Sequence, residues 1–152
     1  MSLSSIRQFF TSKLSGEHED RPAPDALAIA ACALLLEIAH ADEVFQSEER
    51  ERIVRHIRNE MGVADSDIQN VLTLAEAQRR DSVDLYHFTR LVAENLSRDE
   101  RLKLVEAIWG VVYADGSLTE SESHLARRIA VLLGFQHPEV QAAKESVAAR
   151  RR

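Results

Sequence analysis

Two pairs of carboxylates in this chain have a spacing that suits a metal ion. Asp42 and Glu49 stand seven residues apart in "ADEVFQSEE", and Asp115 and Glu122 stand seven apart in "ADGSLTESE". In a calcium loop that is the span from the third ligand position to the closing bidentate glutamate. The two earlier ligand positions would be Ile38 and His40 in the first stretch, and Val111 and Tyr113 in the second. Ile and Val offer no ligand oxygen from their side chains. They also fall in apolar runs of helical period, where the carbonyls are already used. This argues against a complete calcium loop. It leaves Asp42, Glu49, Asp115 and Glu122 as candidate ligands for a divalent cation, with Ca²⁺ or Mg²⁺ suited to carboxylate and water oxygens.

The same acids have a purely structural explanation. Thr119 and Glu122 have the spacing of a capping box, and Asp115 before Gly116 suits a side-chain turn. Ser47 is the expected cap in the first stretch, with Glu48 and Glu49 in the first turn, where the helix dipole favours negative charge. Caps account for the glutamates better than for Asp42 and Asp115. Both aspartates follow a helix, at the end where the dipole disfavours an anion by about 0.3–1 kcal/mol.

Other chemistry is thinly supported. Glu37 and His40 form Glu-x-x-His, the unit that di-iron bundles use twice, but the corresponding residues of the second stretch are Gly110 and Tyr113. No Gly-x-Ser-x-Gly turn and no phosphate-binding Gly-rich loop occurs. The single cysteine, Cys32, sits inside "LAIAACALLLEIA" and reads as a small core residue. Trp109, Tyr113 and Phe88 read as core, and His124 and Arg127 as surface. The sequence therefore points to a non-enzymatic protein.

These residues need elements to position them, and the elements read as helices. Gly (5) and Pro (3) are scarce, and no run of period two stands out. An amphipathic helix is expected over Ser4–Leu14, followed by a polar linker with two prolines in "SGEHEDRPAPD". A second covers Asp25–Ala41 and is apolar nearly all round, as a central helix would be. Others start at Ser47, with Ile53, Ile57 and Met61 inward and Gly62 as the stop, and at Asp65 or Ser66, with Ile68, Val71, Leu72 and Ala75 inward. Next come Val83–Asn95, and a helix from the Ser97/Glu100 capping box to Tyr113. Glu120–Leu133 follows with Leu125, Ile129 and Leu132 inward, then a last helix opening at Pro138. The fold class is all-α, a compact bundle of seven to eight helices joined by short connections. Residues 1–24 form an N-terminal arm and linker, and 25–150 the helical domain.

Residues 37–53 and 110–126 align with a shift of 73. Ala41 falls on Ala114, Asp42 on Asp115, Phe45 on Leu118 and Glu49 on Glu122. Two such units suggest a pseudo-twofold internal repeat rather than a solenoid. Through Ala41, Asp42 and Glu49, then Ala114, Asp115, Gly116, Leu118 and Glu122, the chain resembles the TerB-like family, which includes tellurite-resistance TerB and the N-terminal domain of the DjlA co-chaperone. The resemblance covers roughly residues 25–135. It implies an all-helical fold, a link to tellurite or metal stress, acidic sites for a metal ion and roles in protein interaction. Glu43 departs from the pattern where the second unit has Gly116.

Composition sets the remaining bounds. At 152 residues, with a net charge of −6, the chain suits one soluble domain and not a generic nucleic-acid binder. The Arg150–Arg152 terminus reads as a frayed tail. The N-terminus "MSLSSIRQFFTSKLSGE" lacks the pattern of a secretory signal, and no stretch is apolar enough to span a membrane. The expected location is cytoplasmic. Phe9 and Phe10 need cover, from the bundle itself or from a second copy in a homodimer. Arg7 and Lys13 give only weak support for contact with a membrane surface. An unidentified protein partner is the expected target. An assembly scaffold whose acids are only caps is the alternative reading.

Overall fold

The structure, a computed structural model, describes residues 24–41, 46–81, 85–114 and 119–150. Their regular structure is entirely helical: α1 Pro24–Ala39, α2 Ser47–Asn59, α3 Asp65–Asp81, α4 Tyr86–Asn95, α5 Arg98–Tyr113, α6 Glu120–Leu132 and α7 His137–Arg150. The all-α bundle is present, with seven helices among the described residues. The helix expected at Ser4–Leu14, with Phe9 and Phe10, lies outside them.

The bundle is built around α1. From Ala26 to Ala39 every residue is buried except the half-buried Glu37. α1 packs against α2, α3, α4, α5 and α6, so it needs apolar side chains on all sides. α5 is the second axis, packing on α1, α2, α6 and α7, with Leu104, Val105, Ile108, Trp109 and Val112 buried. Phe88 and Val92 of α4 complete the core. No helix among the described residues is long and apolar enough to cross a membrane.

Boundaries follow local chemistry. Ser97 caps α5 as expected: its Oγ accepts the Glu100 N–H at 3.1 Å, and Glu100 Oε1 accepts the Ser97 N–H at 2.8 Å. α2 differs from expectation. Its cap is Gln46, extended at φ −93 and ψ 160, and Ser47 is already helical. The one-residue shift lets Glu49 reach back to the Gln46 N–H. α4 runs from Tyr86, after the half-buried Leu85; Val83, the expected start, lies outside the described residues. α2 and α6 stop at Gly62 and Gly134, whose φ values of 70 and 101 favour glycine. At Gly134 an added Cβ would also meet Arg101 Nη1 at 2.7 Å, where that guanidinium donates to Leu133 O at 2.6 Å and satisfies the end of α6.

The inward face of α6 is rotated from the expected one. Glu122, Ser123, Ala126, Ile129 and Ala130 are buried, while Leu125 and Leu132 are half-buried at the flanks. Small residues at 126 and 130 let α6 approach α1 and α5 closely. The larger leucines fit only beside that line of contact.

Several bounds repeat at an offset of 73 or 74 residues. α6 begins and ends 73 residues after α2, and α5 begins and ends 74 after α1. α3 packs on α1 as α7 packs on α5, and α2 touches α5 while α6 touches α1.

Candidate functional site

The glutamates that close the two acidic stretches occupy equivalent local positions. Each is the third residue of its helix, Glu49 in α2 and Glu122 in α6, and each is 0% exposed. Glu49 Oε1 accepts the Gln46 N–H at 2.8 Å. Glu122 Oε1 accepts the Thr119 hydroxyl at 2.8 Å, while Thr119 Oγ1 accepts the Glu122 N–H at 3.1 Å. Both carboxylates thus act in helix capping, through different donors: a backbone N–H in the first bend and a hydroxyl in the second. Full burial was not legible in the sequence, where an acid in a first turn reads as solvated.

A buried carboxylate is expensive. Transferring an ionised group out of water costs several kcal/mol, which the capping bonds offset in part. The positive end of the helix dipole adds about 0.3–1 kcal/mol, somewhat more where partly buried. Asp42 and Asp115, the other expected ligands, lie outside the described residues. Among the described residues no group of three or more His, Cys, Asp or Glu side chains is gathered as a metal site.

Beside the first bend, the end of α1 meets α3 in a charged network. Arg79 bridges two acids, with Nη1 2.8 Å from Glu37 Oε1 and Nη2 2.5 Å from Glu76 Oε1. His40 Nε2 stands 3.4 Å from Glu76 Oε2, and Arg80 Nε stands 3.5 Å from Glu76 Oε1. Burial pushes the Glu76 carboxyl up, but the Arg79 hydrogen bond, with the charges of Arg79, His40 and Arg80, outweighs it and holds the carboxyl below its ordinary range. Burial likewise lowers Arg79, and bonds to Glu76 and Glu37 more than reverse it. Glu37 and His40 are thus members of an ion-pair network. Its other members come from α3: Arg80 and, three residues apart, Glu76 and Arg79. Their spacing of three residues was the only available signal, and ordinary surface pairs share it.

A groove of about 470 Å³ opens beside this network, with His40, Arg50, Gln69, Thr73 and Glu76 on its walls. Cys32 contributes no surface chemistry. It is buried, and burial, with the Glu76 charge adding to it, raises its thiol far above its ordinary range. His124 is exposed as expected, whereas Arg127 is drawn over the Trp109 ring at 5.8 Å from its centroid.

The family described as tellurite resistance protein TerB matches residues 28–145. No curated protein and no solved structure matches the chain. The match spans the bundle from early α1 to mid α7, including both acidic bends and the helices on either side of them. On that coverage the chain belongs to the TerB family.

Proposed function

We propose that this protein is a non-enzymatic binding module of the TerB family, with a role related to tellurite resistance, and that its acidic bends take up a divalent cation. The observation that carries the reading is the paired burial of Glu49 and Glu122, each at 0% exposure and each seven residues after an aspartate. A cation shared by the acids of a bend would offset the cost of burying the carboxylate and the unfavourable position of an aspartate after a helix. Ca²⁺ or Mg²⁺ fits an all-oxygen set completed by water. The repeated offsets in helix bounds support two related halves, one bend in each. The cytoplasm is the compartment proposed.

The capping bonds favour a second reading, a protein-interaction scaffold in which the acids serve only as caps. Each Oε1 already has a donor, from Gln46 or Thr119.

One experiment separates the two. Protein purified without chelator is analysed for bound metal and melted with and without millimolar Ca²⁺ or Mg²⁺. The parent should carry metal or gain melting temperature, as a ligand that binds the folded state requires. Glu122→Gln keeps an amide oxygen for the Thr119 hydroxyl but removes the charge, and Asp115→Asn removes the other charge of the same bend. Both should lose the second bend's share of the cation response. A parent indifferent to both ions would leave the capping reading.

A further inference from the structure

A different part of the bundle carries chemistry that neither the bends nor the family relation uses. α2 and α5 face each other across a groove of about 400 Å³, and α7 closes one end. Arg52, Arg55, His56 and Asn59 line one wall at i, i+3, i+4 and i+7, which is one face of α2. Lys103, Glu106, Ala107 and Gly110 line the other at the same spacing on α5. Facing stripes of packed helices are usually apolar. Here they carry mostly charged and polar side chains, and two members of the α5 side, Ala107 and Gly110, are small.

Three observations point to an anion. First, Arg52, Arg55, Lys103 and Arg150 line the groove against the carboxylates of Glu60 and Glu106. Lys103 Nζ lies 3.2 Å from Glu60 and Arg150 Nη2 lies 3.5 Å from Glu106, so both acids are already engaged. Arg55 has no ion pair among the described residues. Second, His56 is 6% exposed, and its Nε2 is buried without a hydrogen-bond partner among the described residues. A buried ring nitrogen ordinarily finds a partner, so Nε2 is a donor held in reserve at the groove wall. Third, Gly110 sits inside α5, where glycine costs about 0.5–1 kcal/mol relative to alanine. The fold does not require it, since an added Cβ would meet only Arg52 Cδ, at 4.0 Å. Its effect is to deepen the groove floor.

We propose that this groove binds a small oxyanion of the phosphate type, held by the Arg55 guanidinium and Lys103, with His56 Nε2–H donating once the side chains that cover it move aside. Planar guanidinium groups match such oxygens, and a neutral imidazole supplies one donor without further charge repulsion. Burial first, with the Lys103 charge adding to it and only Glu60 opposing, pushes His56 down to about 4, so the ring is neutral near pH 7. The groove is separate from the acidic bends, so this proposal and the cation reading can fail independently.

The test is titration of the full chain with inorganic phosphate at constant ionic strength, followed by the His56 ring signals and the Gly110 amide signal. A second arm uses tellurite, and chloride is the control. Saturable shifts are expected with phosphate, tellurite or both, and the two arms identify the preferred anion. Arg55 is exposed, so Arg55→Gln should fold normally; it should bind at least tenfold more weakly. Glu60→Gln, which lifts an opposing charge, should bind more tightly. The proposal is overturned if neither oxyanion shifts His56 beyond the chloride control, or if Arg55→Gln binds as tightly as the parent.

Discussion

Two grooves on this bundle use the same residue types and reach opposite electrostatic outcomes. In the groove between α1 and α3, His40 lies beside Glu76, and Arg79 bridges Glu76 and Glu37. Cations and carboxylates alternate there, and the charge closes on itself. In the groove between α2 and α5, His56 is buried among cationic side chains, and among the described residues two carboxylates, Glu60 and Glu106, line the walls. A histidine in the first groove strengthens an ion-pair network. In the second it must stay neutral. Its role is therefore set by burial and by which helix packs opposite, not by residue type.

Acidification is the strongest way to break this comparison. His56 stands at about 4 when folded, against 6.5 ordinarily. The unfolded state therefore binds more protons between those values, and stability must rise with pH across that window. It is fully present above pH 6.5 and is lost toward pH 4, by on the order of 3 kcal/mol. Denaturant melts from pH 7.5 to 4.5 should show that slope, and His56→Leu should flatten it. Glu76 acts at lower pH. Its carboxyl is held below the ordinary range, so its contribution persists above 4.5 and is lost as the pH falls through its lower folded value. If His56→Leu leaves the slope above pH 4.5 unchanged, the contrast between the two histidines is wrong.

A smaller effect tests the closed network. Arg79→Met keeps much of the aliphatic stem but leaves Glu37 and Glu76 without their shared cation. We expect a loss of about 2 kcal/mol, typical of removing one partner from a partly buried charged hydrogen bond. Arg90→Met, which breaks the exposed Arg90–Glu94 pair on α4, should cost far less, because water screens that pair. Equal losses in the two variants, read by urea denaturation, would remove the distinction between a network and a surface pair.

The smallest effect has the opposite sign. Gly110→Ala should raise stability by about 0.5–1 kcal/mol, because it removes a helix-interior glycine without a close contact. It should also weaken phosphate binding by narrowing the groove. Gly134→Ala should instead destabilise, since that residue combines φ 101 with a Cβ site 2.7 Å from Arg101 Nη1. Thermal melts of the two variants should move in opposite directions.

Much of the fold was legible in residue spacing. Ile68, Val71, Leu72 and Ala75 form the inner face of α3 as their period requires, and Ser97 with Glu100 marks the start of α5. α6 was misread because its contact line uses Ala126 and Ala130. Alanine is a weak hydrophobic signal, and close helix approach is not visible in one helix alone. The cap of α2 was misplaced by one residue because Gln46 is a poor sequence signal for a cap beside Ser47. At the site, the spacing identified Glu49 and Glu122, but not their complete burial.

By itself the sequence determined that this chain is helical, that Ser97 and Thr119 cap helices and Gly62 and Gly134 follow helix ends, and that two acidic stretches recur 73 residues apart. Those properties follow from local propensity and from periodicity along one strand of text. Tertiary structure alone decided that Arg79 joins Glu37 to Glu76, that two first-turn glutamates lose all contact with water, and that His56 is buried facing Lys103. Each of these depends on which helix packs opposite, and so on distances between residues far apart in the chain. Electrostatics responds to those distances and to burial.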